Sequence, residues 1–128
     1  MRSKRRVLIV EDDADLRRLY AIGLNQRGYE VKLASNGAEA VERINSERPD
    51  MIILDLVMPI MDGWELIDRI DPAKGAPNGD IPVVVVSGYT RPDDRPLPSC
   101  VVAWLPKPAT IDDVAVKLNE IDALTSRP

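Results

Sequence analysis

The sequence predicts an α/β fold, a doubly wound five-stranded parallel sheet with helices on both faces. Three observations carry that prediction. Four short runs, Val7 to Val10, Met51 to Leu54, Val83 to Val86 and Val101 to Leu105, are continuously apolar and rich in β-branched residues, as strands buried on both faces require. A fifth segment, Glu30-Val31-Lys32-Leu33-Ala34, alternates polar and apolar residues, the pattern of a strand partly exposed at a sheet edge. Helical periodicities fall between these runs, and strands alternating with helices imply parallel pairing through right-handed crossovers.

The elements follow in order. After the first run, Leu16, Leu19, Tyr20 and Leu24 recur at helical spacing, and Gly28 follows as a stop. Asn36 with Glu39, Asp62 with Glu65 and Thr110 with Asp113 each place a capping side chain three residues before an acidic one, the spacing of a capping box at a helix start. Ile111, Val114, Leu118 and Ile121 give the last helix its apolar face. The stretch Asp71 to Asp80, with Pro72, Gly75, Pro77 and Gly79, reads as a flexible connection. The connection into the last strand breaks the rhythm, because Arg91 to Ser99 contains Pro92, Pro96 and Pro98. Proline inside a helix costs about 3 kcal/mol, so the fourth helix is expected to be shortened or irregular, with at most one irregular turn.

Composition narrows the function. The 128 residues, 45% apolar and 30% charged, suit one globular domain without spare length for an output module. The expected division is a basic leader at 1–6, solvated and without a role of its own, the domain at 7–124 and a tail at 125–128. The 17 basic and 21 acidic residues leave a net charge of −4, which argues against direct binding to nucleic acid or to an anionic membrane. Cys100 is the one cysteine and there is no histidine. Disulfide frameworks, Cys/His zinc sites and catalysis by a resident histidine are thereby excluded, and any metal is held by oxygen. The apolar runs are too short to span a membrane, and four apolar residues after the basic start are too few for a secretory signal. A cytoplasmic setting is expected.

Binding crevices of open parallel sheets form at the carboxyl ends of the strands, above all where the strand order reverses. There the first run ends in Glu11-Asp12-Asp13, the third in Asp55, the fourth in Ser87-Gly88, and the last in Lys107-Pro108. If the alternating strand is the edge, the order 2-1-3-4-5 sets the first and third strands side by side, and Glu11, Asp12 and Asp55 converge. Taken one at a time, these residues read as helix-start acids, a turn residue and a surface lysine; their joint placement favours a site. Crowded carboxylates repel and need a divalent cation or a lysine. Oxygen-only ligands suit Mg2+.

These residues resemble the receiver domain of two-component response regulators, over nearly the whole chain. The resemblance lies in Val-Glu-Asp-Asp at 10–13, Leu-Asp-Leu-Val-Met-Pro at 54–59, Met-Asp-Gly at 61–63, Ser87-Gly88 and Lys107-Pro108. Each is weak alone and together they are specific. The resemblance implies a flavodoxin-like sheet of order 2-1-3-4-5, like the single-domain chemotaxis regulators. It implies that Asp55 accepts a phosphoryl group from a sensor histidine kinase or phosphotransfer protein, or from a small acyl phosphate. It also implies that Glu11, Asp12, Asp55 and the Val57 carbonyl hold Mg2+, and that Lys107 and Ser87 contact phosphoryl oxygens. A cis Lys107-Pro108 peptide is expected, as is loop shaping by Met58-Pro59 and Asp62-Gly63.

The sequence departs from the family at several places. The switch position three residues before the lysine, with Ser87 the other half of the switch, holds Trp104 instead of the usual Tyr or Phe. Trp104 either switches or packs at the sheet edge. Pro106 stiffens the approach to Lys107, and the proline-rich segment removes a helix that many members use to dimerise, so a monomer or weak dimer is expected. Val57 and Tyr89 stand where the family tunes attack of water on the acyl phosphate, and their apolar bulk is expected to prolong it. The leading expectation is a stand-alone phosphoacceptor that docks on a downstream protein target and is not an enzyme beyond marginal self-catalysis. The alternative is a phosphorylation-independent docking scaffold. A phosphatase-like hydrolase is disfavoured because Val57 replaces the second acid of Asp-x-Asp, and a flavin or nucleotide binder because Glu11-Asp12-Asp13 repels phosphate.

Overall fold

The computed structural model describes residues 4–76, 80–89, 91 and 96–125. Strands β1 (Arg6–Val10), β2 (Glu30–Ala34), β3 (Met51–Leu54), β4 (Val83–Ser87) and β5 (Val101–Pro106) alternate with helices α1 (Ala14–Gln26), α2 (Gly37–Ser46), α3 (Gly63–Ile70) and α4 (Ile111–Thr125). The sheet order is β2-β1-β3-β4-β5, and every pairing is parallel. Between β4 and β5 the described residues form no helix, as the prolines require. Pro77, Gly79 and Pro92 lie outside the described residues, as do 1–3 of the leader and 126–128 of the tail.

Side chains alternate faces along a strand, so each apolar run feeds two cores. Leu8, Val10, Ile52 and Leu54 pack with Ala40 and Ile44 of α2 and Leu66, Ile67 and Ile70 of α3. On the other face, Val7, Ile9, Met51 and Ile53 pack with Tyr20 and Leu24 of α1 and Val114, Leu118 and Ile121 of α4. Full burial of each such side chain contributes about 1.5 to 3 kcal/mol. No helix among the described residues is long and apolar enough to cross a membrane.

The capping pairs form as spaced. Asn36 accepts from the Glu39 N–H at 2.8 Å and Asp62 from the Glu65 N–H at 2.9 Å. Thr110 and Asp113 bond reciprocally at 3.0 and 3.1 Å. Gly28 ends α1 at φ 92°, and Gly75 closes a short 3-10 turn over Pro72–Lys74 at φ 87°, in the left-handed region that glycine enters freely.

Two expectations are corrected. Leu19 does not join the apolar face of α1; it is 54% exposed, beside Ile22 at 52%. Residues 5 and 6 are held, not solvated: Arg6 opens β1, its N–H donates to Asp50 Oδ2 at 2.8 Å, and Arg5 pairs with Asp122 at 2.6 Å. Strand pairing uses the backbone, so a polar residue joins β1 when Glu30 stands opposite it.

Candidate functional site

The register of the central strands builds the site. Val10 is paired with Leu54, so the next residues, Glu11 and Asp55, leave neighbouring strands side by side, about 4.8 Å apart in the backbone. The backbone keeps them there: Glu11 N–H donates to the Ala34 carbonyl at 3.1 Å and Asp55 N–H to the Val10 carbonyl at 3.0 Å. Both carboxylates are buried, whereas Asp12 is exposed and approaches from the solvent side. One oxygen from each of Glu11, Asp12 and Asp55 lies within 4.8 Å of the others.

Lys107 arrives from the end of β5. Its Nζ lies 2.9 Å from Glu11 Oε1 and 3.3 Å from Asp55 Oδ2, and its N–H donates to the Ser87 carbonyl at 2.8 Å. The Lys107-Pro108 peptide is cis. Burial pulls the lysine pKa down, but the hydrogen bond to Glu11 and the charges of Glu11 and Asp55 outweigh it, and the net shift is upward. The ammonium stays charged. Burial pushes Glu11 up to about 7, against the Lys107 hydrogen bond, with the Asp55 charge adding to the rise. Three acids stand together against the one lysine that bridges two of them. That all-oxygen, charge-deficient cluster fits Mg2+.

Ser87 is fully buried, and its hydroxyl accepts from the Tyr89 N–H at 3.1 Å. Val57 N–H donates to Asp55 Oδ1 at 3.2 Å, orienting the carboxylate, while the Val57 side chain is 51% exposed and that of Tyr89 61% exposed. Trp104 stands on β5, apart from the acidic cluster. Its indole N–H donates to the Tyr89 carbonyl at 3.1 Å, and its ring lies 6.1 Å from that of Trp64, tilted at 43°. Asp13 takes a structural role, capping α1 by accepting from Asp15 and Leu16 N–H groups. A cavity of about 480 Å3 lies at the opposite ends of the strands, lined in part by Arg5, Asp50, Pro82 and Lys117, and includes none of the acids.

The response regulator receiver domain family model matches residues 7–118. The chain belongs to that family. Among its relatives, the transcriptional regulatory protein PrrA of Mycobacterium leprae is 38% identical over 125 residues, 98% of this chain and 48% of the relative. The response regulator MprA of Mycobacterium ulcerans is 31% identical over 118 residues, 91% of this chain and 49% of the relative. The chain thus spans about half the length of the curated relatives it matches. The fold resembles the response regulator TrrA of Thermotoga maritima in complex with Mg2+ and BeF, with a TM-score of 0.77, 29% identity, and coverage of 91% of this chain and 98% of that one. It also resembles the chemotaxis response regulator CheY4 of Vibrio cholerae, with a TM-score of 0.78, 26% identity, and coverage of 93% and 99%.

For a receiver domain, the sequence placed Glu11, Asp12, Asp55, Ser87 and Lys107 at one end of the sheet, and the structure brings them to that end. Two contacts were not legible. Arg17 Nη1 donates to the Glu11 carbonyl at 2.7 Å, and the Tyr20 hydroxyl donates to the Ala109 carbonyl at 2.8 Å. A tyrosine on a helix face otherwise built of leucines was the one available signal, because a buried hydroxyl needs a partner.

Proposed function

We propose that Asp55 accepts a phosphoryl group from a phosphohistidine of a cytoplasmic sensor histidine kinase or phosphotransfer protein, and that the phosphorylated chain signals by docking on a protein target. The observation that carries this reading is Asp55 itself, buried at the end of β3 with a lysine ammonium 3.3 Å from its free oxygen. An Asp55 oxygen attacks phosphorus, the donor N–P bond breaks, and the imidazole leaves and takes up a proton. Lys107 then exchanges its carboxylate partner for a phosphoryl oxygen, and the Ser87 hydroxyl turns from Tyr89 to another. Glu11, Asp12, Asp55 and the Val57 carbonyl are the ligands proposed for Mg2+. When bound, the ion screens the incoming phosphate from the carboxylates and stabilises transition-state charge. The chain contributes positioning and charge; the donor contributes the phosphorus.

The test is intact mass after incubation with a small acyl phosphate, with and without Mg2+, beside Asp55→Asn. One phosphoryl adduct that needs both the metal and Asp55 supports the reading. No adduct in the wild type, with Mg2+ still bound, overturns it in favour of a docking scaffold independent of phosphorylation.

A further inference from the structure

The contact between Glu11 and Lys107 spans more of the sheet than strand pairing alone fixes. Glu11 leaves β1 and Lys107 leaves β5, and β3 and β4 lie between them. Three inter-strand steps come to about 14 Å, a span that a lysine and a glutamate cover only when both side chains reach toward each other nearly extended. They meet at 2.9 Å, so a small change in the direction of either loop breaks the contact. Glu11 and Lys107 are each tied to a neighbouring strand through the N–H, to the Ala34 and Ser87 carbonyls, and the chain beyond each of them leaves the sheet. A loop outside the ladder keeps its direction only if other groups satisfy its backbone.

Helix α1 supplies those groups. Arg17 donates from Nη1 to the Glu11 carbonyl at 2.7 Å and reaches the Asp12 carbonyl at 3.5 Å. Tyr20, 1% exposed, donates its hydroxyl to the carbonyl of Ala109, two residues past Lys107, at 2.8 Å. Residues three apart are neighbours on a helix surface. The helix is fixed beneath both loops, since Tyr20 and Leu24 pack with Val114 and Leu118 of α4, and Gly23 leaves room for Ile111, whose side chain occupies the space a Cβ would take.

We propose that Arg17 and Tyr20 are positioning residues for the phosphoacceptor site. Arg17 sets the Glu11-Asp12 loop and Tyr20 sets the Lys107 loop, so one turn of α1 fixes the distance between the acids and the lysine. The inference rests on the reading of Asp55 given above. The two braces act on different ligands: Arg17 on the metal-holding acids, Tyr20 on the lysine that meets the phosphoryl group. Arg17 also places a positive charge near the proposed cation, which by Coulomb repulsion alone would weaken metal binding. The brace and the charge therefore predict opposite signs for its removal.

The experiment measures Mg2+ affinity by calorimetry without any phosphodonor, then beryllium fluoride affinity and the rate of adduct formation at saturating Mg2+. It uses the full chain as wild type, Arg17→Ala, Arg17→Lys and Tyr20→Phe, with unfolding in EDTA recorded for each. Arg17→Ala is expected to weaken Mg2+ binding about tenfold, the lower end for losing a group that orients a ligand. Arg17→Lys, which keeps a donor and the charge, recovers most of it. Tyr20→Phe is expected to leave Mg2+ affinity within about twofold while lowering beryllium fluoride affinity and adduct rate about tenfold, as a displaced lysine would. Unchanged or tighter Mg2+ binding in Arg17→Ala overturns the proposal, as do losses in all readouts that simply track the unfolding midpoint. In either case a wild type that forms the Asp55 adduct leaves the functional reading standing. A wild type that forms no adduct overturns that reading and this inference with it.

Discussion

Lys107 bridges Asp55 and Glu11, with Nζ 3.3 Å from one carboxylate and 2.9 Å from the other. Lys107→Ala leaves two buried acids without their cation, and breaking such a pair costs more than the pair contributes. Stability in EDTA is expected to fall by roughly 1 to 3 kcal/mol, moderated by the lysine's partial exposure, and Mg2+ is expected to restore part of it. The adduct rate at saturating Mg2+ is expected to drop by about 10² to 10³, the cost of removing one positioned charge from a transition state. Urea unfolding with and without Mg2+, and a mass time course, check both. An unchanged rate would place Lys107 in a structural role only.

Val57 and Tyr89 stand beside Asp55 and Ser87 of the proposed acceptor site, each bonded through its backbone N–H to one of those side chains and each largely exposed. On the proposed reading, these apolar or bulky groups would exclude the water that hydrolyses the acyl phosphate. Val57→Asn and Tyr89→Ala are both expected to shorten the phosphoryl half-life, by about tenfold for a newly positioned polar group. Decay followed by intact mass decides it. Half-lives equal to wild type in both variants remove the shielding role.

The fold was legible because the two-faced sheet needs four continuously apolar strands and one alternating one, and each strand announces itself in that pattern. Residues at strand ends were legible for the same reason: once Val10 and Leu54 pair, Glu11 and Asp55 must be neighbours. Leu19 was misread because helical spacing identifies a stripe without saying how wide the buried part is, and α1 leaves Leu19 and Ile22 outside. Arg6 was misread because strand membership is set by backbone pairing with β2. The Arg17 and Tyr20 contacts were hidden because their acceptors are carbonyls, which every residue carries.

Gly63 begins α3 against the loop that follows Asp55, its N–H donating to the Leu56 carbonyl at 3.0 Å. A Cβ there would lie 2.7 Å from Leu56 Cα and 2.8 Å from the Asp55 carbonyl oxygen. Both obstacles are backbone, so the loop itself must move. Gly63→Ala is expected to destabilise the chain by about 1 to 3 kcal/mol and to slow adduct formation by shifting Asp55. Urea unfolding and the mass assay measure the two effects. Gly75→Ala, where nothing stands within 4 Å but φ is 87°, is the control: strain without displacement of Asp55, hence lost stability with normal adduct formation.

Trp104 holds the Tyr89 carbonyl while Tyr89 N–H holds Ser87 Oγ. If Ser87 rotates about χ1 to donate its hydroxyl to a phosphoryl oxygen, Oγ moves away from the Tyr89 N–H, Tyr89 loses that acceptor and the indole's partner moves. With two tryptophans in the chain, Trp64→Phe isolates the Trp104 emission. Beryllium fluoride with Mg2+ is expected to shift that emission in Trp64→Phe and to leave it unchanged when Asp55→Asn is added. A constant emission in the first case assigns Trp104 to packing against Trp64 alone.

Cys100 is 1% exposed, and burial first, then the nearby charges of Asp71 and Asp80, push its thiol up to about 11. A raised pKa means that the folded state holds the proton more tightly than the unfolded chain. This contribution is fully present below the unfolded value of about 8.5 and is lost as pH rises through the folded value. Wild type is therefore expected to lose stability between about pH 8.5 and 11 more steeply than Cys100→Ala, by an amount on the order of 3 kcal/mol across that window. Urea unfolding of both chains at several alkaline pH values isolates the thiol, because lysine and tyrosine titrations are common to the two. Parallel curves would show that the thiol ionises equally in both states. Alkylation at pH 8 gives an independent reading: since the thiolate is the nucleophile, the native chain should react slower than the urea-unfolded one by about 10² or more.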